Sequence, residues 1–219
     1  MKLSEYFPVY EKLTKEEREM VDRATVVRTV EKNSLLHSRG DDCLGFVVVR
    51  TGLLRAHITS EEGREITLYR LMERDICLLT ASCVMNSLQL DIMITAERET
   101  VIWIIPPLVF KKLMDQSVAF ANYVNQIMAT RLTEVVWLIE QIMWKSFDKR
   151  LADFLLEESA LEESDTLKIT HEKIAAHMGT AREVVTRMLR YFQSEGMVKL
   201  TRGTIEIVNS EKLVKIEEK

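Results

Sequence analysis

From Ser117 to Lys145 the chain runs without a glycine or a proline, which predicts one unbroken helix of roughly 40 Å at 1.5 Å per residue. Along it Met128, Leu132, Val135, Ile139 and Ile142 recur at steps of four, three, four and three, the a/d spacing of a coiled-coil seam. Val136, Trp137, Leu138 and Met143 widen the apolar surface beyond that seam. An ordinary core helix would also carry an apolar stripe. This one outlasts what a small domain could cover, so the pattern predicts packing against its own domain on one side and a second copy of itself on the other. Asn125, one step earlier in the same register, would fix the axial register of such a pair.

The helix separates two stretches of different chemistry. Before it, "GFVVVRTGLLRAHITSEEGREITLYRL" holds β-branched runs broken by turns at Thr51-Gly52 and Glu61-Glu62-Gly63. Leu54, Ala56 and Ile58 alternate with Arg55, His57 and Thr59, predicting a strand with the first three in a core and the others outside. "LDIMITA" and "TVIWII" flank the charged turn Glu97-Arg98-Glu99 as a further pair that stops at Pro106-Pro107. Short antiparallel strands in succession predict a small β-barrel or jelly roll.

After the long helix, Ser146 is placed to cap "FDKRLADFLLEESA", with Asp148 in the first turn, and is therefore the candidate hinge. "LKIT" reads as a short strand and "HEKIAAHMG" as a helix capped by Thr170. "GTAREVVTRMLRYF" reads as a second helix behind a glycine turn, and "MVKLTRGTIEIV" as a hairpin turning at Arg202-Gly203. Together these describe a winged helix-turn-helix. The expected fold is α+β: a β jelly roll over residues 1–114, a dimerisation helix over 115–146 and a winged helix-turn-helix over 147–219.

Composition narrows the function. With 47% hydrophobic and 29% charged residues the chain reads as a soluble globular protein. Its opening, "MKLSEYFPVYEKLTKEEREM", has no uninterrupted apolar run, so neither a signal peptide nor a membrane span is expected and the cytoplasm is the expected compartment. Cys43, Cys77 and Cys83 form no even set and no CxxC pair, which fits free thiols better than a disulfide framework or a zinc finger. The net charge is −4. From Thr166 to Asn209, however, Lys168, Lys173, Arg182, Arg187, Arg190, Lys199 and Arg202 outnumber Glu172, Glu183, Glu195 and Glu206. The winged helix-turn-helix from Thr166 to Asn209 is thus a basic region of an acidic chain.

In that region Val185, Met188, Leu189 and Phe192 mark a buried side, and Arg182, Glu183, Thr186 and Arg187 fall on the other face near the amino-terminal end. That end enters the major groove in helix-turn-helix proteins. Arginine can donate two hydrogen bonds to guanine O6 and N7, and glutamate can accept from cytosine N4, so this set can read G and C. The alternative is that Thr180 and Glu183 form a T-x-x-E capping box and the arginines are merely solvated.

"KITHEKIAAHMGTAREVVTRMLRYFQSEGMVKLTRGTIEIV" resembles the carboxy-terminal domain of the cyclic-AMP receptor protein and fumarate-nitrate regulator family of bacterial transcription factors. The likeness extends through "EEGREI", "GLLRAHI", "MATRLTEVV" and "RLADFLL", all in family order, and makes the barrel a cyclic-nucleotide-binding-like sensor domain. It implies a homodimer on double-stranded DNA with TGTGA-like half-sites, and RNA polymerase as a partner. Arg182, Glu183 and Arg187 match the family's base-reading positions, and Thr170 matches a phosphate contact. Thr186 departs from the glycine of the cyclic-AMP type toward the serine of the other branch. The candidate DNA-binding set is Thr170, Thr180, Arg182, Glu183, Thr186 and Arg187.

The effector is harder to read. By resemblance, the cyclic-AMP branch holds ribose and phosphate with a Gly-Glu-Leu turn and an Arg-Ser pair, whereas here the stretch is "ERDICLLTASCVMNSLQLDIMIT". No lysine or arginine lies between Arg74 and Arg98, so a cyclic phosphate buried there would lack its counter-charge and cyclic-nucleotide binding is not expected. Val135 and Val136 stand where the cyclic-AMP type has Thr-Ser. A four-cysteine iron-sulfur cluster is not expected from three cysteines, none before Cys43. Haem would need His37, His57 or a cysteine as axial ligand, and His57 reads more simply as a surface residue. Three readings stay open: an apolar or aromatic small molecule among Cys77, Leu78, Leu79, Val135, Val136 and Ile139; a thiol sensor in which Thr80 caps a short helix that activates Cys83; or two inert buried cysteines and no ligand. No catalytic residues and no metal site are expected. A metal-dependent enzyme on the same barrel would need paired histidines near a carboxylate, which the strands do not show, and an interaction module would have the fold without DNA binding.

Overall fold

The strand chemistry of the first half forms two four-stranded antiparallel sheets. The computed structural model describes residues 2–38, 44–84 and 92–218. Two short 3-10 turns lead into α1 (Lys15–Ala24), whose start is fixed by a capping box: Thr14 Oγ1 accepts from the Glu17 amide and Glu17 Oε2 accepts from the Thr14 amide at 2.8 Å. The strands are β1 (Val26–Val30), β2 (Leu35–His37), β3 (Phe46–Thr51), β4 (Leu54–Thr59), β5 (Glu65–Leu71), β6 (Ile76–Cys77), β7 (Met93–Ala96) and β8 (Thr100–Ile105). Strands β3 and β4 fall in opposite sheets, as do β7 and β8, so the segments around Glu97-Arg98-Glu99 are no hairpin but a crossing between layers. That exchange makes the jelly roll. At one such corner Gly52 has φ +98, and a Cβ there would lie 2.5 Å from the Glu99 carbonyl oxygen, so only glycine fits.

Between the sheets pack Val47, Val49, Leu54, Ala56, Leu71, Ile94 and Ile102. The other face of the first sheet, with Phe46, Val48, Trp103 and Ile105, is covered by Tyr6 and Phe7 and by two helices, α2 (Pro107–Gln116) and α3 (Val118–Trp144). Phe46 stacks on Phe110 at 5.4 Å and meets Phe7 and Phe120 at 5.6 Å each. Strand β3 is therefore buried on both faces, which is why it reads as an unbroken apolar run. Strand β4 corrects the expected alternation. Arg55 and His57 are buried and Ile58 is 39% exposed. Arg55 and His57 thus do not face water, and Arg70 of β5 forms an ion pair with the buried Glu97 at 2.9 Å.

The second half adds α4 (Phe147–Glu162), β9 (Thr166–Leu167), α5 (His171–Met178), α6 (Arg182–Ser194), β10 (Val198–Thr201), β11 (Thr204–Ile207) and α7 (Ser210–Glu218), with sheet order β10-β11-β9. The wing turns at Arg202-Gly203, where Gly203 has φ +73. Leu151, Leu155, Ile174, Val185, Leu189 and Phe192 form its core. Helix α7, which sequence reasoning did not single out, packs on α4 and buries Leu213. Ser146 occupies the N-cap position of α4 with extended backbone, but its side chain makes no capping bond.

By packing the chain divides into Met1–Ile58 with Leu68–Val135, and Thr59–Thr67 with Val136–Lys219. The second unit thus takes in the tip of the β4–β5 hairpin. There Ile66 bridges Met178 and the Thr67 hydroxyl lies 2.9 Å from His177 Nδ1.

Candidate nucleic-acid interface and effector site

Helix α6 is positioned by its underside. Val185, Leu189 and Phe192 are fully buried in the core of the second unit, which fixes the rotation of the helix and turns Arg182, Glu183 and Arg187 outward. All three are exposed, and neither arginine is held by a carboxylate among the described residues. The capping-box alternative is not realised. Gly179, at φ +65, closes α5 with its amide on the Ala175 carbonyl, and the Thr180 amide bonds the same oxygen at 3.1 Å. Thr180 is thereby used to end one helix, and the N-cap of the next passes to Ala181, which makes no side-chain bond. Glu183 falls at the second helical position with no capping task. Thr170 does cap α5, accepting from the Lys173 amide at 3.2 Å. Thr186 is half-buried; its hydroxyl donates to the Arg182 carbonyl and lies 2.9 Å from His171 Nδ1.

The seam of α3 is open in the single chain. Leu132 is 65% exposed, and Ile139, Ile142, Val136 and Trp137 are also exposed, while Val135 is half-buried and Met128 packs against the aromatic core.

At the candidate effector site, Cys77 and Leu79 belong to the cluster between the sheets, whereas Leu78 points the opposite way into the aromatic core, as neighbours on an extended chain must. The Cys77 thiol is fully buried and pushed above its ordinary value by that burial, against weaker help from the Thr80 and Leu79 amides. Thr80 does not cap the six-residue 3-10 helix Leu79–Val84; its hydroxyl donates to the Gly45 carbonyl at 2.6 Å and to that of Cys77 at 3.1 Å. The side chain of Cys83, and Cys43 altogether, lie outside the described residues. His57, read as a surface residue, is buried.

Sequence reasoning missed the cation of this site. Arg131, the only base in α3, lies over the Tyr69 ring at 4.8 Å, bonds both Glu134 oxygens at 2.7 and 2.9 Å, and reaches Asp75 at 3.3 Å. Burial alone would lower the guanidinium; Glu134 and Asp75 more than offset it and hold it above its ordinary value. Burial pushes the Tyr69 hydroxyl up as well. The candidate effector site therefore does contain a positive charge, supplied by the helix and already engaged by two carboxylates. Among the described residues no cluster of three or more His, Cys, Asp or Glu side chains is gathered as metal ligands.

A Crp-like helix-turn-helix domain model matches residues 149–216, and a cyclic nucleotide-binding domain model matches residues 27–117. A solved structure of a Crp/Fnr-family protein from Eubacterium rectale is 50% identical, covers 98% of this chain and all of that one, and superposes with a TM-score of 0.96. The chain belongs to the Crp/Fnr family. It is a DNA-binding transcription regulator of that type, not an enzyme. Over 87 residues this Crp/Fnr regulator is 31% identical to the cyclic AMP receptor protein of Thermus thermophilus, a match that spans 40% of each chain. A Crp/Fnr regulator of known structure from the same organism shares the fold at 19% identity, with 89% of this chain and 99% of that one covered and a TM-score of 0.72. No helix among the described residues of the regulator is long and apolar enough to cross a membrane.

Proposed function

We propose that the regulator works in the cytoplasm as a homodimer. The seam of α3, Met128, Leu132, Val135, Ile139 and Ile142, joins two copies, and residues 1–114 sense, 115–146 dimerise and 147–219 bind DNA. Each α6 lays Arg182, Glu183, Thr186 and Arg187 on the base edges of a TGTGA-like half-site, with Thr170 and Thr180 beside the backbone, and the two helices must lie about 34 Å apart. The observation that carries this reading is the state of the recognition side chains: Arg182, Glu183 and Arg187 are exposed on a helix whose opposite face is fully buried, and Glu183 has no cap to serve. A signal in the barrel shifts the population of half-site spacings, with Ser146 as the hinge, and RNA polymerase is the partner the outcome acts on.

The effector is a small apolar or aromatic molecule other than cyclic AMP, held beside Cys77, Leu79 and Val135. The engagement of Arg131 by Glu134 and Asp75 supports the exclusion, since a cyclic phosphate would have to displace a carboxylate to reach it. Burial of the Cys77 thiol supports a packing role over a redox one.

The test is binding of the reduced, ligand-free protein to a palindromic TGTGA duplex against a scrambled duplex at fixed salt. Specific binding is expected to rise or fall on addition of aromatic ligands. Equal affinity for both duplexes under every condition, with site selection from random DNA also yielding no motif, would remove the reading.

A further inference from the structure

We infer that operator binding by this regulator takes up a proton on His171, whose imidazolium meets a backbone phosphate beside the recognition helix. The inference rests on the DNA-binding reading of α6. His171 is the first residue of α5, outside the recognition helix, yet its Nδ1 lies 2.9 Å from the hydroxyl of Thr186 on α6. A threonine hydroxyl has one proton, and Thr186 gives it to the Arg182 carbonyl at 2.9 Å. The imidazole must then supply the proton of the other bond. His171 is therefore the Nδ1–H tautomer, and its Nε2 carries the lone pair.

Two consequences follow from that lock. The ring orientation is fixed by a bond that both the neutral and the protonated forms can make, because Nδ1 donates in either case. A proton can thus enter and leave at Nε2 without releasing Thr186. Nε2 has no hydrogen-bond partner among the described residues, and His171 is half-exposed. The charged groups that act on it are Arg182 and Arg190, both from α6; Glu172, next to it on α5, is exposed.

The sign of the linkage is set by this environment. Partial burial, then Arg182 and Arg190, hold the free imidazolium below its ordinary value of 6.5, so the unbound protein is neutral at His171 near pH 7. A phosphate at Nε2 raises the value in the complex. A group whose affinity for protons is higher in the complex strengthens binding fully below its free value, and that contribution is lost as pH rises through the bound value. Affinity for the operator should fall with rising pH, by at most about tenfold per pH unit for each protomer engaged.

The experiment is fluorescence-anisotropy binding to the selected operator from about pH 5.5 to 8.5 at constant ionic strength, for the full-length protein and for His171→Gln and His171→Arg. The native protein should show the slope, His171→Gln should lose it and bind weakly throughout, and His171→Arg should restore affinity with a flat profile. Histidine 15N NMR should show the Nδ1–H tautomer in the free protein and an imidazolium in the complex near pH 7. A slope that survives in His171→Gln, a native profile already flat, or a neutral His171 in the complex would overturn the inference while leaving DNA binding intact. A native protein that binds no DNA specifically at any pH would overturn both readings. Melting curves of the variants separate these results from loss of folding.

Discussion

The arginines of α6 and of α3 are held in opposite ways. On α6, Arg182 and Arg187 are exposed and no carboxylate holds them; their geometry comes from the buried side chains on the far face of the same helix. On α3 Arg131 is only 15% exposed in its side chain and is held directly by Glu134, Asp75 and the Tyr69 ring. The first arrangement keeps a guanidinium available to an outside partner and places the cost of ordering in a rigid support. The second ties a helix to its barrel, and an outside anion must compete with two resident carboxylates to use it. On the proposed reading the same residue type serves recognition in one place and architecture in the other, and the partners decide which.

The comparison breaks most easily at the support. Phe192→Ala removes the largest fully buried side chain beneath the recognition face, and the loss should be about 3 to 5 kcal/mol of stability in the second unit. Denaturant unfolding should show the deficit, and hydrogen exchange should confine it to the second unit, with the Phe46 and Val48 amides protected as before.

Replacing the recognition arginines should do the reverse. Arg182→Ala and Arg187→Ala should each cost about 1 to 3 kcal/mol of discrimination between operator and scrambled duplex, with unfolding midpoints unmoved because neither side chain supports the fold. A shared loss of stability would mean the side chains have internal partners after all. Arg131→Met should sharpen the contrast, destabilising the barrel unit by about 1 kcal/mol, a small value because both carboxylates are a third exposed. Its direct effect on base discrimination should be nil.

How legible each region is in sequence follows from the range of its contacts. Helix α6 stands out because its burial repeats within a few residues, and Phe46 to Val49 announce their two-sided burial by continuous apolarity. Arg131 does not stand out, since Asp75 lies 56 residues away and only the folded roll brings them together. The polar residues of β4 misled for a related reason: alternation predicts an exposed face only if nothing covers it, and Arg55 and His57 are covered. Thr180 was lost to a shift of one position, because the left-handed turn at Gly179 draws its amide back onto α5. The partners of the exposed arginines, by contrast, need no long-range knowledge, because among the described residues no carboxylate holds them.

One segment crosses the comparison. Thr59–Thr67 takes in the end of β4, the turn and the start of β5, yet it packs in the second unit. Its hold there includes the Thr67 hydroxyl at 2.9 Å from His177 Nδ1 and Ile66 against the Gly179 turn, where a Cβ would come within 3.0 Å of Ile66 Cδ1. Thr67→Val keeps the shape and removes the hydrogen bond, which should cost about 0.5 to 1.5 kcal/mol. Amide exchange should quicken at His177 and Met178, which precede the turn that sets the start of α6, and stay unchanged at Val48. If exchange quickens in the barrel strands instead, the segment is anchored by its own sheet. If it quickens at neither place, the bond adds nothing to the hold, and the hairpin tip stays in place without it.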